Sequence, residues 1–132
     1  MKSILSLFFI IIISSFMPLK VEASHIVLKP CIQVSHCFID EWDVKDIKAP
    51  LSEVQIILEN TPRIKIVEID GDYLHAESTS RIMKYVDDLE ISYDNLGGKL
   101  IVRSESRVGE GDFGVNQKRV NLLKSNLFQI QS

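Results

Sequence analysis

From Pro50 onward the apolar positions of the chain fall into two rhythms. Leu51, Val54, Ile57 and Leu58 recur at helical spacing behind a proline suited to a first helical turn, and Thr61-Pro62 ends the run. Ser52 and Gln55 stand at the spacing of a capping box. The period then shortens to two. Arg63 to Ile69, Tyr73 to Ser80, Met83 to Tyr93 and Lys99 to Arg107 read as four strands, with turn signals at Asp70-Gly71-Asp72 and from Asp94 to Gly98. Short connections between successive strands predict an antiparallel meander. Helical spacing returns with Val120, Leu123, Leu127 and Ile130, on a second helix that runs from Val115 to about Ile130.

Alternation gives each strand two faces. One is apolar, with Ile64, Ile66, Leu74, Ala76, Leu89, Ile91, Leu100 and Val102, and is the expected core side. The other is mixed and includes Val67, Ile69, His75, Glu77, Asp88, Glu90, Arg103, Glu105 and Arg107. The helical stripes and the apolar sheet face bury one another most simply in two layers. The expected fold is therefore α+β, a four-stranded antiparallel meander with two helices on one face, in the order helix, four strands, helix.

The chain ahead of Pro50 follows neither rhythm. Residues 24–49 read as an extended lead-in holding Cys31, Cys37, Trp42 and the acidic pair Asp40-Glu41. Residues 1–23 read as a signal peptide. Lys2 precedes an almost wholly apolar run from Ile4 to Phe16, and Val21-Glu22-Ala23 offers small residues for cleavage after Ala23. The run is short of the roughly 20 apolar residues of a membrane span. An uncleaved N-terminal anchor is the alternative, and only it would tie the protein to a membrane. A lipoprotein signal is disfavoured, because Pro30 precedes Cys31. The expected location is periplasmic or secreted, with one α+β domain over residues 50–132.

Composition narrows the partners. The 132 residues suffice for one domain, with 45% hydrophobic and 25% charged residues and no repeat or low-complexity run. Cleavage would remove Lys2, Lys20 and Glu22, leaving 13 basic and 17 acidic side chains. Such a domain has no clustered cations for nucleic acid and no polybasic patch for anionic lipid. Outside the cytoplasm it has no ready supply of ATP or reduced nicotinamide, so no cofactor is expected. Binding, scaffolding and hydrolysis are the classes left. Cys31 and Cys37 suit a disulfide in an oxidising compartment. Two free thiols, or half of a Cys/His zinc cluster with His25 and His36, are the alternatives, although structural zinc favours cysteines two to four residues apart.

The densest chemistry runs from His75 to Arg119. Its segments are His75 to Arg81, Tyr85 to Glu90, Arg103-Ser104-Glu105-Ser106-Arg107-Val108-Gly109, and Asp112 to Arg119. With Gly71-Asp72-Tyr73-Leu74, these segments closely resemble the domain of unknown function 1499 family, over about Cys31 to Leu127. The family's Arg-Ser-x-Ser-Arg-Val-Gly and Gly-Val-Asn-x-Lys-Arg pieces match almost residue for residue. Its Cys-Pro-x-Ser-Pro-Asn-Cys segment corresponds to residues 31–37, where both cysteines are kept and the prolines and asparagine are not. The resemblance implies an exported or membrane-linked protein and supplies no activity.

Three physical readings follow for these residues. Asp88 and Glu90 share a face with Arg103 and Arg107, which predicts an ion-pair network. Alternatively, Arg103, Arg107 and Arg81 hold a small anionic ligand, a task suited to the planar guanidinium. His75 beside Glu77 has the makings of a general base, and Ser78, Thr79, Ser80, Ser104 and Ser106 supply hydroxyls, so a hydrolase can be drawn. The glycines at 109, 111 and 114 could cradle an anion, but Glu110 and Asp112 compete for the same amides, which favours a self-capped connection. Asn116 and Arg119 lie on one side of the second helix, placed to bond back to the arginine–serine segment. The sequence therefore points to a non-catalytic module that binds an anionic ligand or an envelope protein. A hydrolase using His75 and a purely structural accessory domain are the alternatives.

Overall fold

The computed structural model describes residues 26–109 and 111–130. The expected signal peptide and its cleavage site, together with His25 and Glu110, lie outside the described residues. The elements are β1 (Cys37–Asp43), α1 (Pro50–Glu59), β2 (Ile64–Asp70), β3 (Tyr73–Thr79), β4 (Val86–Asp94), β5 (Lys99–Ser106) and α2 (Val115–Gln129). The fold is α+β, with two helices and one open antiparallel sheet.

The sheet has five strands, not four. Its order is β1-β5-β4-β3-β2, so the β2–β5 meander gains an outer strand from the lead-in. β1 pairs with β5 from Cys37 opposite Glu105 to Asp43 opposite Lys99. Its sequence, Cys-Phe-Ile-Asp-Glu-Trp-Asp, hides the alternation. Phe38, Asp40 and Trp42 share the helix-facing side with Val102 and Leu100, and the carboxylate in the middle breaks the apolar pattern. Asp40 is tolerated there because its oxygens accept from the Trp42 indole N–H at 2.7 Å and from Lys124 of α2 at 3.0 Å.

α1 lies over β2, β3 and β4, and α2 over β1 and β5. Val54 and Leu58 from α1 and Val120, Leu123 and Leu127 from α2 meet Leu74, Ala76, Leu89, Ile91, Leu100 and Val102 in one buried cluster with Trp42. Each fully buried Leu, Ile or Val contributes about 1.5–3 kcal/mol to folding. Three smaller expectations are corrected. Ile130 falls outside α2 and is exposed, so it does not extend the apolar stripe. The capping box is absent, because α1 starts at Pro50 and puts Ser52 inside its first turn, while Gln55 donates to Glu59. Finally, a bulge between Ile66 and Glu68 shifts the register of β2, which places Ile69 opposite Leu74 on the helix-facing side rather than the mixed one.

Cys31 and Cys37 form a disulfide, which removes the free-thiol and zinc alternatives. The crosslink ties the lead-in to the first residue of β1. Farther back, Ser92 of β4 donates its hydroxyl to the Ile26 carbonyl. The lead-in is thus pinned at two points on the sheet face away from the helices, and Leu28 between them is buried. Replacing both cysteines with serine is expected to lower the unfolding free energy by about 2 kcal/mol, the loop-closure value for so short a ring. Urea denaturation of the oxidised protein and the double variant measures it.

Candidate functional site

Alternation along β3, β4 and β5 brings most of the charged candidates to the face opposite the helices. His75 stands opposite Glu90, Glu77 opposite Asp88, and Glu90 opposite Arg103. Arg107, just past the end of β5, reaches back over the same face. Its Nε donates to Asp88 at 2.9 Å, and one terminal nitrogen donates to both Asp88 and Glu77 at 2.8 Å. Asp88 also meets His75 Nε2 at 2.8 Å. Arg103 bonds Glu90 at 3.0 Å and pairs with Glu105. The Tyr73 hydroxyl donates to the other Glu90 oxygen at 2.8 Å, and burial followed by this bond pushes the phenol's pKa far above its ordinary value.

Four carboxylates therefore surround two guanidiniums and one imidazole. An incoming anion would have to displace the protein's own carboxylates. His75 is held by Asp88 rather than Glu77. The expected hydroxyls do not join it: Ser78, Ser104 and Ser106 alternate to the other face of the sheet, opposite Asp87, Leu89 and Asp87 respectively. Thr79 lies on His75's side but four residues along the strand, roughly 13 Å away. Arg81 sits apart, exposed on the β3–β4 connection, with no side-chain partner among the described residues.

The hydrogen bond from Arg107 holds the Asp88 carboxyl below the usual carboxylate range, against the opposing effect of partial burial, and His75 adds to the lowering. A carboxyl whose pKa is lower folded than unfolded stabilises the protein above its unfolded value, and that contribution disappears as pH falls through the folded one. Unfolding free energy should therefore decline below about pH 4. In an Arg107→Ala variant the decline should be shallower. Denaturation midpoints measured from pH 6 to pH 2 test this, and parallel curves would count against it.

A second polar cluster lies between the sheet and α2. Ser104 and Asn116 are fully buried. The Ser104 hydroxyl donates to Asn116 Oδ1 at 2.6 Å, and Arg119 donates to both residues at 2.9 and 2.8 Å. Arg119 also pairs with Asp87 at 2.7 Å. Asn116 Nδ2 is shared among the Ser106 hydroxyl, the His36 carbonyl and Asp112. Asp112 closes the system: its oxygens accept from the Gly114 and Asn116 amides at 2.8 and 3.1 Å. Burial alone would raise the Asp112 pKa, but the bonds from Asn116 and these amides hold it below the ordinary value. The glycine-rich connection is thus capped by its own carboxylate, which occupies the amides an anion would need.

Above this cluster lies a cleft of about 370 Å³ between the β3–β4 and β5–α2 connections. Asp87 and Ser106 contribute to its polar wall, and Tyr85, Val108 and Phe113 to its mouth. A wider hollow between the C-terminal ends of α1 and α2 is lined by Ile56, Asn60, Asn126 and their neighbours, without an ionisable side chain. Among the described residues, no cluster of three His, Cys, Asp or Glu side chains could hold a metal ion. None of the helices in the described residues is long and apolar enough to cross a membrane. Tyr85, Val108 and Phe113 were not singled out in the sequence. Tyr85 falls within the expected strand Met83 to Tyr93, which in fact begins at Val86, while Val108 and Phe113 had a signal available as large apolar side chains in a glycine-rich connection.

The segments that carry the family resemblance converge here. The arginine–serine segment forms the end of β5 and leads into the cleft, and the Gly114-to-Arg119 segment opens α2 behind it. Comparison with curated proteins finds no match. Residues 18–127 match the family model described as a protein of unknown function (DUF1499), and the chain belongs to that family.

Proposed function

We propose that the protein is an exported, non-catalytic binding module whose ligand site is the cleft between the β3–β4 and β5–α2 connections. One observation carries this reading: the cleft is the place where a rigid, internally bonded polar wall meets exposed aromatic and apolar side chains. Asp87 is neutralised by Arg119, and Asp112 is satisfied by helix amides. The wall therefore offers hydrogen bonding with little net charge, which suits an uncharged ligand with an apolar body and a few polar groups. The ion pairs that hold His75, Asp88 and Arg107 together and the separation of His75 from Ser104 and Ser106 favour binding over hydrolysis. Export rests on Lys2, the apolar run from Ile4 to Phe16, and the small residues ending at Ala23.

Two measurements test the reading. Backbone amide shifts recorded against a library of small uncharged fragments should move at Tyr85, Val108, Gly109 and Phe113. Responses confined to the His75–Arg107 face would relocate the site. Mass spectrometry of protein recovered outside the cytoplasm should find Ser24 at the N-terminus, and an intact Met1 there would favour the anchor.

A further inference from the structure

The mouth of the cleft belongs to a larger feature. Three connections lie side by side at one end of the sheet, and each presents large apolar side chains to solvent. The 31–36 segment carries Ile32 and Val34, the β3–β4 connection Ile82 and Met83, and the β5–α2 connection Val108 and Phe113. Their adjacency is fixed by bonds and shared walls: the Asp112 amide donates to the Ser35 carbonyl, and Tyr85 and Phe113 line the same cleft. The connections are built, not loose. Ser80 and Tyr85 close the β3–β4 loop through Ser80 N–H to Tyr85 carbonyl at 2.8 Å and Tyr85 N–H to the Ser80 hydroxyl at 2.9 Å, thrusting residues 81–84 outward.

Phe113 is the sharpest case. Its side chain is 99% exposed, and its φ of +52° lies in the left-handed region that a bulky residue adopts only at a cost. Neither packing nor backbone preference accounts for a phenylalanine there. Ile82 is 84% exposed, and its neighbours Arg81 and Lys84 have no side-chain partner among the described residues. Residues 80–85 hold two cations and no acid, in a chain whose net charge is −3.

Against the expectation from composition that no basic patch serves anionic lipid and that only an N-terminal anchor reaches a membrane, we infer from this geometry that the three-loop end docks onto a membrane surface containing anionic phospholipid. Ile82, Met83, Val108 and Phe113 enter the acyl–headgroup boundary, and Arg81 and Lys84 meet the phosphates. Apolar side chains spread over three connections, rather than gathered in one packed patch, fit a deformable interface. On the β3–β4 connection the apolar Ile82-Met83 pair lies between Arg81 and Lys84, which is the polarity order of that boundary. The inference deepens the binding-module reading by naming the class of partner that faces the cleft.

The test is cosedimentation of the purified protein with vesicles of phosphatidylcholine alone and of phosphatidylcholine with phosphatidylglycerol. Residues 1–23, whether present or cleaved, are common to every variant compared. The expected result is preferential partition onto the anionic vesicles, weakening as salt is raised. Phe113→Gly should lower the partition coefficient by about tenfold, the loss expected from withdrawing one aromatic side chain from the interface. Its thermal midpoint should stay level or rise, because glycine accepts the left-handed backbone. Arg81→Glu with Lys84→Glu should abolish the preference for anionic lipid. In an Ile82→Trp variant, quenching by brominated acyl chains should place the tip at the interface.

Three outcomes overturn the inference: no partition onto anionic vesicles, partition unchanged in these variants, or self-association through the tips without vesicle binding. If fragments move the cleft amides while vesicles do not bind, the lipid inference fails and the cleft reading stands. If neither responds, both fail.

Discussion

Arg119→Ala is expected to lower the unfolding free energy by about 3–5 kcal/mol, the range for removing one partner of a buried ion pair. The Arg119 and Asp87 side chains are 14% and 13% exposed. Truncating the arginine leaves the Asp87 carboxylate without its cation and also removes the donors that Arg119 gives to Ser104 and Asn116. The cost is thus dominated by stranded groups, not by the value of one bond. That interpretation has its own check. An Asp87→Leu, Arg119→Met double variant takes away both charges together and should recover most of the loss. Chemical denaturation of the three proteins measures both effects. A single-variant loss below about 1 kcal/mol would instead mark the pair as solvent-screened, like an ordinary surface salt bridge.

Trp42→Ala should cost a similar about 3–5 kcal/mol, as large-to-small changes at buried aromatic sites do. The ring is 1% exposed and wedged between β1 and α2, where Lys124 lies 5.9 Å from its centroid. Its loss opens a cavity and also removes the indole donor to Asp40, a carboxylate on the core side of the sheet. Trp42→Phe keeps most of the volume and gives up the donor, so it should cost only about 1 kcal/mol beyond any repacking. Circular dichroism during urea titration reports both variants without relying on tryptophan emission, since Trp42 is the single tryptophan. Equal losses for Ala and Phe would mean that the Asp40 bond, not packing, holds β1 in place.

The meander and both helices were legible because their apolar positions keep strict periods. β1 was not, because Asp40 points to the core side of its strand and is neutralised by Lys124, more than eighty residues away. No local pattern reveals a carboxylate whose partner is that distant. The bulge in β2 was equally silent: one extra residue near Val67 exchanges the faces of everything after it. The site divides in the same way. That Asp88, Glu90, Arg103 and Arg107 share a surface follows from alternation along two neighbouring strands. Alternation equally puts Ser104 and Ser106 on the far side from His75, and this weakens the hydrolase reading. The cleft and the three-loop end are assembled from segments remote in sequence, so their residues look like ordinary turns until the sheet brings them together.

The position of β1 has a consequence for how the molecule is made. Cys37 begins a strand whose partner runs from Lys99 to Glu105, so the first strand synthesised is completed by the last. Contacts of such long sequence separation slow folding, since the loop between them must be closed before they return any stability. At about 5–20 residues per second of synthesis, the N-terminal third waits several seconds for its template. During that interval it remains an unpaired, threadable chain. Under the export proposal, that delay would keep the leading segment passable until residue 105 has been made.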